Sequence, residues 1–285
     1  MKNALKFIWG ILCYPLWYIL FQVVVSVLFT LWAIIALVVE KTAAGEPLTD
    51  ILELTETTLN VVLDKTLWIM LVSAVIVFGI MFLKLRKRWK TDDFFSAKTL
   101  NIRNVLLSCS FGVAASFTIS GLLTAIDIYS LVPEYEQLME VTTGGDNVLL
   151  NAAAVGLLGP FLEEVIFRGV IFSRVREKSG KTWVAVAVSS LLFGLIHMNL
   201  VQGVYAALLG VFLALIFVLT KSLWAAIITH MAVNLTSVII GALQSGEVAF
   251  VTSEADASFF APIIMALVCG IIASLAFWFL YKKRV

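Results

Sequence analysis

Charge is what this sequence has little of. Of its 285 residues only 14% are Asp, Glu, Lys or Arg, against about 25% in a typical soluble domain. Histidine is scarcer still, with two residues, His197 and His230. A formal net charge of +1 leaves no basic field for a polyanion, which excludes a nucleic-acid binder. The three cysteines, Cys13, Cys109 and Cys269, each fall inside a long apolar run. An odd number placed that way encodes neither a disulfide framework nor a compact cysteine metal site. Several catalytic signatures are also missing. There is no His-Glu-x-x-His of a zincin, no Gly-x-Ser-x-Gly elbow and no Gly-x-x-x-x-Gly-Lys phosphate loop.

What the sequence has instead is apolar surface. Hydrophobic residues make up 61% of the chain and the mean hydropathy is +1.02. Bilayer hydrocarbon cannot satisfy bare backbone groups, so a spanning segment must be a helix of about 20 mostly apolar residues. Eight runs qualify: 8–39, 67–83, 104–126, 149–173, 183–200, 203–220, 223–243 and 259–281. The first is too long for the apolar region of a signal peptide and reads as a retained helix. The pattern predicts an all-α, polytopic membrane bundle of about eight transmembrane helices.

The charges sort by side. Lys2 and Lys6, the 84–103 connection, Arg174–Lys181, Lys221 and the Lys282–Arg284 tail hold 17 of the 20 basic residues. The alternate connections, 40–65, 127–146 and 244–258, hold 14 of the 19 acidic residues and only Lys41 and Lys65 as bases. This is the positive-inside pattern, and it puts both termini in the cytoplasm. Lys84–Lys90 is a topology signal of this kind, or else a patch for anionic headgroups.

Three formal charges remain at membrane depth: Glu163, Glu164 and Arg168. Both histidines also lie in spans. A charge at a helix centre costs at least about 2.5–3.5 kcal/mol on insertion scales, so each such residue is a functional candidate. Glu164 and Arg168, at i and i+4, share a helix face, whereas Glu163 points well away from the arginine. The expected division is a structural pair, Glu164–Arg168, and a freer carboxylate, Glu163, able to act as a base. Pro160 removes a backbone bond one turn earlier and is expected to expose the carbonyl of Gly156. Ala152 and Gly156 have the small-residue spacing that lets another helix approach. Farther on, Phe193-Gly194-Leu195-Ile196-His197 ends the fifth run, and His230 and Asn234 share a face of the seventh. Glu with two His is a ligand set of some catalytic zinc sites. Equally, Glu can activate water while His and Asn donate to a developing oxyanion. Both readings point to hydrolysis inside the membrane.

Glu163-Glu164-x-x-x-Arg168, then Phe193-x-x-x-His197, then His230-x-x-x-Asn234 resembles the CPBP family. That family comprises CAAX proteases and bacteriocin-processing or bacteriocin-immunity proteins, also called ABI or type II CAAX prenyl endopeptidase-like proteins. The likeness covers about 149–243. It divides the chain into three N-terminal helices with acidic outer loops (1–148), a catalytic core (149–243) and a final loop and helix (244–285). It implies an intramembrane endopeptidase of the bacterial cell membrane, acting on a peptide or lipidated protein. Glu163 would activate the water and Glu164, supported by Arg168, would assist. His197 would orient the water, and His230 with Asn234 would stabilise the oxyanion. Glu163, His197 and His230 are also the candidate ligands of a divalent metal, zinc, although a metal-free glutamate mechanism fits the same residues. The expected partners are the substrate and the lipid bilayer. The rival readings are a non-catalytic immunity or scaffold protein and a proton-coupled transporter, the latter without the inverted repeats that mark such folds. Counting residues puts Glu163 and His230 in the cytoplasmic half and His197 in the outer half, so convergence requires a tilted, broken or re-entrant fifth helix.

Overall fold

The computed structural model describes residues 2–45, 51–91, 101–133, 135 and 147–244, with 268, 270–272, 275 and 278 as isolated positions. Every regular element among them is helical. In chain order these are α1 (Lys2–Ala44), α2 (Ile51–Asp64), α3 (Thr66–Thr91), α4 (Ile102–Ala125), a 3-10 turn at Ile128–Leu131, α5 (Val148–Ser179), α6 (Thr182–Leu195), α7 (Leu200–Thr220) and α8 (Leu223–Gln244). Six of the eight α-numbered helices, all but α2 and α6, are long and apolar enough to cross a bilayer. Large side chains such as Leu20, Val24, Leu28, Leu31 and Ile35 stand exposed along α1. In water such a stripe would aggregate, and in hydrocarbon it is solvated. The chain is an integral, multi-pass membrane protein.

Seven of the eight expected runs are helices, and the eighth, 259–281, lies largely outside the described residues. Three boundaries differ from the sequence reading. The acidic 40–65 connection contains α2, which packs back against the long α1, with Lys41 Nζ donating to Glu53 Oε1 at 2.8 Å. The basic stretch after 83 continues α3 to Thr91, because nothing in Lys84–Lys90 breaks a helix. The fifth run stops early: α6 has 14 residues, about 21 Å at 1.5 Å per residue, short of a hydrocarbon core of about 30 Å.

The helix α5 is continuous but changes register twice. Ala152–Leu158 and Val165–Phe172 are π-helical, flanking an α-helical turn at Gly159–Glu164. Such i→i+5 segments are rare and occur often at functional sites. Around α5 the main core gathers Tyr14 of α1, Met81 of α3, Phe167 and Phe172 of α5, Phe193 of α6 and Ile227 of α8. Small residues set the closest approaches. A Cβ on Gly194 would lie 2.5 Å from Gly203 O and 2.9 Å from Ala207 Cβ, so α6 and α7 meet backbone to backbone there. Gly156 faces Leu235, so the expected approach of a neighbouring helix is made by α8.

Candidate active site

Glu164 is the hub of the buried polar cluster. Its Oε1 accepts hydrogen bonds from Arg168 Nη1 at 2.7 Å and from His230 Nδ1 at 2.9 Å. Glu164 and Arg168 are wholly buried, which a charge tolerates only when paired and hydrogen-bonded. Arg168 is held from two further directions: Nη2 donates to Gly210 O at 2.8 Å, and the guanidinium lies 5.0 Å from the ring centroid of Phe193. The expected i, i+4 pair is therefore present, with partners on α6, α7 and α8 that no spacing could reveal.

The His230 bond to Glu164 has a chemical consequence. A carboxylate only accepts, so Nδ1 carries a proton and the imidazole meets the cavity through Nε2. That atom lies 3.7 Å from Glu163 Oε2. Glu163 takes no part in the Glu164–Arg168 pair and keeps 15% of its side chain exposed, on the cavity wall. Phe193 forms a floor under both histidines, edge-on to His197 at 5.1 Å and to His230 at 5.5 Å.

The early end of α6 accounts for His197. The chain turns at Ile196–Asn199, with Met198 at φ 51°, and Asn199 then caps α7 by accepting from the Val201 and Gln202 amides. His197 thus sits half-buried in the turn between α6 and α7 rather than within a helix. Its Nδ1 lies 2.8 Å from Phe193 O and must donate to it, which leaves Nε2 as the free ring nitrogen. The fifth run is a continuous helix of 14 residues that ends before His197.

Asn234 behaves differently from the expectation. Its Nδ2 donates to Val155 O at 2.9 Å. In the π register the donor for Val155 O is the N–H of residue 160, and Pro160 has none. The carbonyl freed by Pro160 is therefore that of Val155, not Gly156, and a side-chain amide takes it. One N–H of Asn234 is committed to this bond and the other remains for the cavity.

All four of Glu163, His197, His230 and Asn234 line one cavity of about 380 Å³, within the range of small-ligand sites. Sequence reasoning missed its rim, where Tyr129, Tyr135, Tyr205 and Gln202 add neutral polar groups. The only signal was aromatic hydroxyls and an amide near the ends of apolar runs. Burial pushes the Tyr129 phenol above its ordinary range. Burial, with Tyr129 and Tyr205 nearby, raises Tyr135 to about 12. The loop phenols of the rim hydrogen-bond without adding charge.

Glu163, His197 and His230 have the donor chemistry of a zinc site, and the two Nδ1 contacts are the outer-shell bonds such ligands use. The spacing does not match: among the described residues no three His, Cys, Asp or Glu side chains group closely enough to hold an ion.

Residues 145–236 match the family model described as type II CAAX prenyl endopeptidase Rce1-like. The chain is also 35% identical over 88 residues to the Bacillus subtilis (strain 168) protein described as "Putative membrane peptidase YdiL". That alignment covers 31% of this chain and 35% of the relative, so the matched part spans about a third of the relative's length. No solved structure matches the chain. The segment that supplies Glu163, His197, His230 and Asn234 is the segment similar to the type II CAAX prenyl endopeptidase family.

Proposed function

We propose that this protein is an intramembrane endopeptidase that hydrolyses a peptide bond with a glutamate-activated water. The observation that carries the reading is Nε2 of His230, fixed by Glu164 from behind, 3.7 Å from the Glu163 carboxylate at the bottom of the cavity. Structural locking of helices is already achieved by Glu164 and Arg168 and needs no second carboxylate there. The likeness over 145–236 to the type II CAAX prenyl endopeptidase Rce1-like model, and to the relative described as "Putative membrane peptidase YdiL", supports the same chemistry.

In this mechanism Glu163 takes a proton from water as the water oxygen attacks the amide carbonyl carbon. The carbonyl π electrons move to oxygen. In its imidazolium form, His230 donates Nε2–H to that oxyanion, and the uncommitted N–H of Asn234 adds a second donor. Nε2 of His197 accepts from the water and aims it. On collapse the C–N bond breaks and Glu163 returns its proton to the leaving amine, giving a carboxylic acid and an amine. Glu164, Arg168 and Gly210 touch no reacting atom and position His230. In this route Glu163 alone activates the water, and no step passes through an ion. The substrate class is a peptide or protein segment, lipidated or not, held at the membrane.

The test is cleavage of a defined peptide by the purified protein in proteoliposomes, with EDTA present throughout. Glu163→Gln is expected to lower turnover by about 10²–10⁴, the range of general-base contributions, with an unchanged melting temperature. Unchanged turnover in the folded variant would reject the role of Glu163, and loss of wild-type activity in EDTA would reject the metal-free route.

A further inference from the structure

The cavity is placed unevenly along the bundle. One end is fixed by a contact between distant segments: Arg174 Nη1, near the end of α5, donates to Gly10 O near the start of α1. Arg176, Lys178 and Lys181 follow at this end, and Lys221 lies between α7 and α8. By the positive-inside bias this is the cytoplasmic end.

Tyr18, Ile19 and Gln22 line the cavity from just before the midpoint of α1, and the lining residues of most other helices fall in the half away from this end. Met70 is four residues into α3, which starts at the far end, and Ser120 is five residues before the end of α4. Gly159 lies in the first half of α5, Tyr205 in the second turn of α7, and Ser237 in the second half of α8. Glu163 lies at the middle of α5 and His230 in the first half of α8, nearest the basic end among the polar lining residues of those two helices. Beyond them towards the cytoplasmic end the interior is solid: Phe167, Ile171, Phe172 and Leu223 are all buried at 1% exposure or less. At the opposite end the wall is completed by Tyr129 and Tyr135, in the connection that follows α4. Among the described residues that line the cavity none is Lys or Arg, and Glu163 is the one Asp or Glu. A substrate carboxylate entering here would meet a like charge and find no Lys or Arg among the described lining residues to pair with it.

Resting on the peptidase reading above, we propose that the cavity opens to the non-cytoplasmic face. Its substrate is then an uncharged peptide segment presented from that side, not a cytoplasmic C-terminus carrying a free carboxylate. Access, and therefore the compartment of the substrate, is set by where α6 stops and by the cytoplasmic plug around Phe172.

Thiol accessibility tests this without requiring any cleavage. In a background lacking Cys13, Cys109 and Cys269, single cysteines are placed by Gln202→Cys on the rim, Tyr129→Cys as a second rim position and Lys221→Cys at the basic end. A membrane-impermeant maleimide is expected to label the two rim cysteines in intact spheroplasts, with labelling lost in sealed inside-out vesicles. The Lys221→Cys variant should show the reverse. Rim labelling confined to inside-out vesicles, rim cysteines unreactive from both sides, or Lys221→Cys reactive in spheroplasts would each overturn the proposal. A neutral reporter peptide supplied to each face of vesicles containing the wild-type protein gives the second arm. Cleavage only from the non-cytoplasmic face supports the proposal, and cleavage only from the cytoplasmic face overturns it. Rim labelling as expected without cleavage from either face would sink the peptidase reading and leave the opening intact.

Discussion

Arg168 is the residue whose removal should be felt most widely. Replacing it with methionine keeps most of its volume, but takes the 2.7 Å donor from Glu164 Oε1, the 2.8 Å donor from Gly210 O and the cation from the face of Phe193. Glu164 is wholly buried, so it would be left as a carboxylate with only His230 beside it. Breaking a buried pair by deleting one partner costs about 3–5 kcal/mol. At about 2–4 °C per kcal/mol for a chain of this order, Arg168→Met should melt roughly 10 °C lower. Removing both charges is cheaper than removing one, because no uncompensated ion stays behind. The double variant Glu164→Gln/Arg168→Met should therefore regain more than half of the lost stability. It should stay catalytically weak, since a neutral amide at that position would no longer hold His230 as the carboxylate does. Eight tryptophans provide a fluorescence signal for the melt in detergent. An Arg168→Met variant melting within about 1 °C of wild type, or a double variant no more stable than the single one, would refute this account of the pair.

Two further substitutions probe the frame around the site. Asn234→Leu strips the donor from Val155 O and should cost about 1–3 kcal/mol, the penalty for an orphaned buried acceptor. Adding Pro160→Ala restores an N–H at the position the π register requires and should recover much of that loss in the same melt. A deeper loss in the double variant would show that the register argument is wrong. Gly194→Ala puts a methyl 2.5 Å from Gly203 O, so α6 and α7 must part at a cost of about 1–3 kcal/mol. Because the turn bearing His197 follows at once, kcat should fall together with stability.

Much of this architecture is legible in the sequence, for reasons that apply residue by residue. Hydrocarbon imposes long apolar runs, so α1, α3, α4, α5, α7 and α8 announce themselves. Charges left inside such runs are costly, so Glu163, Glu164 and Arg168 stand out, and the i, i+4 spacing assigns the arginine to the right carboxylate. What escapes a reading of the sequence is tertiary in origin. The bond from His230 to Glu164 spans 66 positions, and nothing local encodes it. The π segments of α5 shift the carbonyl released by Pro160 by one residue from its α-helical position, so the bond from Asn234 is invisible to spacing alone. The length of α6 is overestimated because Ile196 and Met198 are apolar, although the turn there is fixed by Asn199 capping α7. The rim tyrosines carry no pattern, since their meeting depends on how the connection after α4 folds over α7.

The most direct measurement is a kinetic double-mutant cycle on Glu163 and His230 in the purified protein. If the two act on one water and one carbonyl, kcat/KM for Glu163→Gln/His230→Asn should be close to that of the slower single variant, because residues that act as a unit are strongly non-additive. Losses that simply multiply, or either single variant turning over at the wild-type rate, would contradict a shared catalytic unit in this cavity.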